Sequence, residues 1–299
     1  MHAQAVPQNL EAIMGESAEV TISAFGDEIA DDLSEQLDVL KGLNVHWLDL
    51  RGAWGKNVLR FSDEDVAQVK QTLDLNGVGV SCIGSPIGKS PIAEPVETEA
   101  ANLARLFQIG EALGVRQVRV FSFYPPDTSA NTHYDDYVEA SIARLAQLTQ
   151  MAQAEGFVLM LENEKGIVGD TLSRCAAIVS TIDSPHLRFL WDPANFIQVG
   201  ESQPTEHGWA SLGPYIGYIH IKDAVLAGGG VRPAGEGDGQ VKQLLTRLRA
   251  AGYDGFLALE PHLAIAGHSS GYSGPEGMAV AVEALRNVMQ QAGLVENQP

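Results

Sequence analysis

Short apolar runs alternate with amphipathic stretches of helical spacing along this whole chain, and that alternation limits its fold more than any other feature. Such runs suit strands buried on both faces, as parallel sheets require, and the longer stretches between them suit crossover helices. Strands are expected at 20–24, 45–50, 78–83, 117–121, 157–161, 187–191, 215–220 and 255–259, which makes eight. Helices are expected at 32–43, 63–75, 97–113, 134–155, 172–182, 205–212, 240–251 and 275–291. Gly42, Gly77, Gly114, Gly156 and Gly252 punctuate helix ends, each shortly before a strand. Ser62, followed by Asp63, Glu64 and Asp65, is a helix start, because its hydroxyl and the early acids satisfy the first N–H groups. Eight such units predict one (β/α)8 TIM-barrel domain over 19–292, between an N-terminal extension at 1–18 and a C-terminal tail at 293–299. An open doubly wound sheet would need a glycine-rich phosphate loop after the first strand, and Ala-Phe-Gly-Asp-Glu-Ile-Ala at 24–30 is not one.

Four of these runs close on a side chain that can hold a metal: Glu162, Asp192, His220 and Glu260, spaced by 30, 28 and 40 residues. The longer connections, 85–96, 124–133, 224–239 and 261–274, all follow strands, so they crowd the barrel face that carries those four residues. Carboxylates gathered at a barrel mouth repel one another unless a cation neutralises them. Three carboxylates with one imidazole suit one divalent ion of the Mn, Mg or Co kind better than thiolate-seeking zinc, with Mn preferred. Such an ion would polarise a carbonyl and its neighbouring hydroxyl, and Glu162 and Glu260, taken to lie on opposite sides of the mouth, would each reach one face of the enolised carbon.

A net charge of −19 excludes a phosphodiester backbone or an anionic membrane as partner without a local basic patch, and none is visible. Lys and Arg are sparse near the strand tips, which disfavours a phosphosugar and leaves an uncharged carbohydrate as the expected ligand; a homo-oligomer stays open. Cys82 and Cys175 are expected as packing residues, since two cysteines make no disulfide framework. With no long apolar segment and no basic-then-apolar start, the chain is expected to be cytoplasmic.

The segments Leu161-Glu-Asn-Glu164, Trp191-Asp-Pro-Ala-Asn195, His220-Ile-Lys-Asp223, Pro233-Ala-Gly-Glu-Gly-Asp238 and Leu259-Glu-Pro-His262 resemble the xylose isomerase-like superfamily of sugar isomerases and epimerases. The resemblance implies a TIM barrel, a metal held by Glu162, Asp192, His220 and Glu260, and an acid/base pair of Glu162 and Glu260. Relatives of this kind include ketose 3-epimerases, keto-polyol isomerases, dehydratases and proteins that cleave 3-keto glycosides. Ketose 3-epimerases carry a His three residues after the Asp ligand, where Asn195 stands here as a substrate contact. The endonuclease branch needs further histidines that this chain lacks around 195 and 231–238.

Most of the other residues have more than one reading. Lys222 shares the strand face of His220 and is a substrate-oxygen ligand, a general acid, or an ion-pair partner of Glu162, Asp192 or Asp223. Arg51 and Trp54 form a sugar-binding wall or pack at the rim. Arg232, after three glycines, closes over substrate on a lid or stays solvated. His262 is a fifth ligand or stands behind the ligands, with Pro261 turning the chain away. Asp27 and Glu28 line the pocket or charge a helix start, and His46 is expected to be a packed, hydrogen-bonded strand residue. The leading function is a metal-dependent sugar isomerase or epimerase acting on a ketose or keto-polyol through an enediolate. A lyase or dehydratase expelling a β-leaving group from a keto-sugar, and a non-catalytic sugar-binding subunit, are the alternatives.

Overall fold

The computed structural model describes residues 18–126, 132–263 and 273–297. Eight parallel strands form its centre: β1 (Glu19–Phe25), β2 (Trp47–Leu50), β3 (Gly79–Ile83), β4 (Gln117–Val120), β5 (Val158–Glu162), β6 (Leu187–Trp191), β7 (Ile216–Ile221) and β8 (Phe256–Leu259). Each pairs with the next in chain order, and β8 pairs back onto β1 in the register Thr21↔Phe256 to Ala24↔Leu259, so the sheet closes. The chain is a (β/α)8 TIM barrel. Every expected strand is present within a few residues of its expected bounds.

The surrounding helices are α1 (Leu33–Gly42), α2 (Asp63–Asn76), α3 (Val96–Leu113), α4 (Val138–Glu155), α5 (Leu172–Ile182), α6 (Pro193–Gln198), α7 (Pro204–Leu212), α8 (Val241–Ala250) and α9 (Gly274–Ala292). Ser62 and Asp65 make a reciprocal capping box at the start of α2, and Gly77 ends that helix in the left-handed region. Helix α6 has no counterpart in the sequence expectation. Its six residues are too few for a periodic signal, and its start is fixed by Asp192, whose side chain accepts from the Asn195 N–H.

Strand parity sorts the residues. Side chains such as Val118 and Val120 face the helices and join the large core between sheet and helix ring, whereas Cys82, Met160, Leu190, Tyr218 and Ala258 form a separate cluster inside the barrel. Arg119 is level with Met160 in the β4–β5 register, so it points inward with that second set. Both cysteines are buried and free.

Past α9, Val295–Glu296 adds a short parallel strand beside β1, and Arg286 grips Glu296 at 2.7 and 2.8 Å. Residues 1–17 of the expected extension lie outside the described residues, as do 127–131, 264–272 and 298–299. No described helix is long and apolar enough to cross a membrane.

Candidate metal centre

The ends of β5, β6, β7 and β8 bring Glu162, Asp192, His220 and Glu260 together, all buried, with one ligand atom from each lying within 4.8 Å of the others. The His220 Nδ1 atom is 2.9 Å from Glu162 Oε1 and 3.7 Å from Glu260 Oε2, so this nitrogen faces the carboxylates. Two donors about 2.9 Å apart suit adjacent corners of an octahedron with bonds of about 2.1 Å. The buried Asp192 Oδ2 atom accepts no hydrogen bond, and its charge is met by the Lys222 ammonium at 2.8 Å. The donor set of three carboxylates and one imidazole fits a hard divalent cation.

Glu162 and Glu260 come from β5 and β8, three strand steps apart around the eight-strand barrel, and both carboxylates approach His220 Nδ1.

Cations of the chain are threaded among these acids, which the sparse Lys and Arg of the sequence did not lead one to expect. Lys222 Nζ lies 2.8 Å from Asp192 Oδ2, an electrostatic contact outside hydrogen-bonding geometry, and donates to Glu260 Oε2 at 3.0 Å. Arg119 donates to Glu162 at 3.2 Å and to the Gly84 and Ser85 carbonyls, with Glu260 at 3.7 Å. The Arg51 guanidinium spreads over Asp27 (2.7 Å), Glu28 (2.9 Å) and Glu260 (2.7 Å). Each cation is therefore already matched with carboxylates.

Burial raises the pKa of a carboxylate, and the neighbours decide the outcome. At Glu162, His220 and Arg119 outweigh burial and hold the acid down at about 2. Glu260 is likewise held well below the usual range, against burial, by Lys222, His262 and Arg51. For Asp192 burial wins over Lys222, with help from the neighbouring glutamates, and the acid rises to about 6. Burial would depress His220, but Glu162, Asp49 and Glu260 push it up to about 10.

The remaining residues singled out in the sequence divide. Asn195 is buried beside the ligands: its amide donates to the Asn163 carbonyl at 2.9 Å and lies 3.5 Å from Glu162 Oε1. His262 lies 3.5 Å from Glu260 Oε1 and 3.3 Å from Glu28 Oε1, on a backbone at φ 44°. Asp27 and Glu28 do not act as helix charges alone, since both hold Arg51. Trp54 packs its ring near Phe61, 6.2 Å between centroids. Arg232 is exposed and donates to its own residue's neighbour, the Val231 carbonyl. His46 is half-buried ahead of β2, its Nε2 3.3 Å from Asn44 Oδ1, rather than packed within the strand. Beside Arg51 opens a cavity of about 260 Å³ lined by Asp27, Asp31, Lys56 and Asn57.

Three residues escaped the sequence reading. Arg119 is the lone charged residue of β4, at inward parity between two valines, and that parity is the signal that would have found it. Asn163 exchanges hydrogen bonds with the Asp192 backbone, both at 2.9 Å, and so ties β5 to β6 at the ligands. Tyr218, two residues before His220, meets Ser23, Ser81 and Asp49 inside the barrel.

A family model described as xylose isomerase-like TIM barrel matches residues 38–288. None of the curated proteins matches the sequence. Among solved structures, a D-tagatose 3-epimerase-like protein is similar at TM-score 0.72 and 18% identity, covering 91% of this chain and 98% of that one. A xylose isomerase-like TIM barrel protein from Mycobacterium smegmatis, in complex with magnesium, reaches 0.68 at 19% identity over 93% and 99%. The probable 3-DHS dehydratase from Bacillus anthracis reaches 0.68 at 15% identity over 90% and 99%. The chain spans 44% of the length of a further match, a xylose isomerase-like TIM barrel/4-hydroxyphenylpyruvate dioxygenase fusion protein (TM-score 0.70, 17% identity, 92% of this chain). At such identities the likeness is one of fold.

Proposed function

Because the chain belongs to the xylose isomerase-like TIM-barrel family, we propose that it is a metal-dependent isomerase or epimerase of a ketose or keto-polyol. The observation that carries this reading is the placing of Glu162 and Glu260, both held ionised, on either side of His220 at one four-residue site. Glu162, Asp192, His220 and Glu260 would hold one divalent ion, Mn by preference, with Mg, Co and Zn as alternatives. Such an ion supplies Lewis-acid polarisation of the substrate carbonyl.

The residues of the chain do the rest. One glutamate takes the proton from the carbon next to the carbonyl, the C–H electron pair becomes the enediolate double bond and the carbonyl π pair moves to its oxygen. The same glutamate then returns that proton to the neighbouring carbon, or the second glutamate, having drawn a proton from water, delivers it to the opposite face while the first gives its proton back to solvent. Lys222, at 2.8 and 3.0 Å from two of the acids, sits where an ammonium can donate to a substrate oxygen. Arg51 links Glu260 to the adjoining polar cavity, where the hydroxylated remainder of a sugar fits. Asn195 and His262 limit how that sugar sits, and Arg232 reaches substrate only if its loop swings inward. The membership and a site near charge balance support an uncharged carbohydrate.

Incubating Mn-loaded protein with ketoses, inososes and 3-keto glycosides in heavy water tests the proposal: deuterium should enter one carbon next to the carbonyl. No exchange with any of them, from protein that carries metal, would reject it. The buried Lys222 ammonium also favours a second reading, a lyase, in which it protonates a departing oxygen. In a lyase Lys222→Met stops product release while deuterium exchange continues, whereas in an isomerase the two rates fall together.

A further inference from the structure

We infer that Asp49 is a positioning residue of the metal centre, orienting the His220 ring from inside the barrel, with Tyr218 holding Asp49 in place. The inference rests on the reading of the four strand-tip residues as a metal site.

Asp49 is completely buried and points to the barrel axis, in register with Cys82 of the interior cluster. The proton exchange proposed above makes no use of it, and a carboxylate buried without function or partner is costly. Its Oδ2 atom accepts the Tyr218 hydroxyl at 3.1 Å and lies 3.7 Å from His220 Nε2. Asp49 Oδ1 and His220 Nε2 are each buried without a hydrogen-bond partner, and it is the other oxygen, Oδ2, that lies 3.7 Å from Nε2, so the two side chains adjoin with capacity unused on both.

A neutral imidazole has one N–H and one lone pair, and whatever accepts the N–H decides which nitrogen is left to bind metal. With Asp49 on the Nε2 side, the lone pair falls on Nδ1, the atom that faces Glu162 and Glu260. The ring is also held by edge contacts with Phe25 (5.1 Å between centroids) and Tyr218 (5.9 Å). The Tyr218 hydroxyl is itself fixed by Ser23 at 3.1 Å and Ser81 at 2.9 Å, and the carboxylate is the strongest acceptor for its single proton. Space for the Asp49 carboxylate depends on Gly84, where a Cβ would come within 3.0 Å of Oδ1.

The test is metal binding, not turnover. Titration calorimetry of metal-stripped protein with Mn should give Asp49→Ala an affinity lower by about 10–100-fold. Asp49→Asn, which still offers an oxygen to Nε2–H, should recover part of this, and Tyr218→Phe should show a smaller loss. The visible absorption of the cobalt-loaded protein should shift in Asp49→Ala, a change that a general loss of stability would not produce. Long-range nitrogen-15 spectra of zinc-loaded wild-type protein should show His220 ligated through Nδ1 and protonated at Nε2. Ligation through Nε2, or wild-type affinity and cobalt spectrum in Asp49→Ala, would overturn the inference. Should Asp49→Ala fail to fold, the isosteric Asp49→Asn and the nitrogen spectra decide. A wild-type protein that binds no metal at all would instead overturn the reading of the site.

Discussion

Glu162 and Glu260 differ from the other two ligand candidates in what an amide replacement removes. Glu162→Gln and Glu260→Gln keep an oxygen donor and the shape, but lose the carboxylate that takes up a proton. Each should lower turnover on the true substrate by at least about 10²-fold, with metal content by elemental analysis partly kept. Near-wild-type turnover in both would exclude them as the acid/base pair. His220 gives the site a pH signature when metal is absent. Its pKa, ordinarily 6.5, is pushed up to about 10 against burial by Glu162, Asp49 and Glu260, so the folded form holds this proton longer than the unfolded one. Stabilisation from it is complete below about pH 6.5 and lost as the pH rises towards about 10. The melting temperature of stripped protein should fall across that window, and Mn, which requires a neutral ring, should flatten the fall. A stripped protein whose melting temperature is flat there would contradict this. The four ligand candidates were legible because each breaks an apolar run at its last position. Arg119 was legible only through strand parity: with Val118 and Val120 turned to the helices, the charge between them faces the barrel axis.

Among the elements, the segment after β7 is organised by a single side chain. Asp223 accepts backbone N–H groups from Ala224, Gly235, Gly237 and Gly239 at 2.9–3.1 Å, so the loop folds around one carboxylate. A Cβ at Gly237 would lie 2.4 Å from Asp223 Oδ1 and 2.5 Å from the Ala224 carbonyl oxygen. Gly237→Ala should therefore cost about 1–3 kcal/mol, the scale of overpacking, read as a lower urea midpoint with faster proteolysis near the loop. Gly42→Ala, with nothing within 4 Å of the added carbon, is the control and should leave stability unchanged or raise it. A Gly237→Ala protein as stable as the control would contradict the role given to Asp223. Strands were legible as short continuous apolar runs and long helices from their period of about 3.6 residues. Helix α6 was not, because Asp192 both closes β6 and caps the next turn, and six residues leave no period to count. The meeting of Glu162 and Glu260 at one histidine depends on side-chain reach across three strand steps of the closed barrel, which sequence spacing alone does not convey.

At the scale of the molecule, metal binding and folding are linked, since the four ligand candidates converge only when β5 to β8 have assembled. At free Mn of about 100 times its dissociation constant the folded state should gain about 2.7 kcal/mol, and a chelator should lower the melting temperature by several degrees. No response to either Mn or chelator would count against a metal site. The family was legible because its motifs fall at strand ends, where the barrel gathers them. The substrate was not, since the cavity beside Arg51 takes its shape from how the segments at 27–31 and 51–57 fold against each other, which spacing does not convey. The β1–β8 seam, Thr21 against Phe256, joins the two ends of the barrel segment. A ribosome making about 5–20 residues per second leaves β1 without that neighbour for a time on the order of tens of seconds. During synthesis the exposed edge of β1 is open to pairing with another nascent chain, so soluble yield should depend on chaperone supply and translation speed more than the stability of the finished barrel suggests.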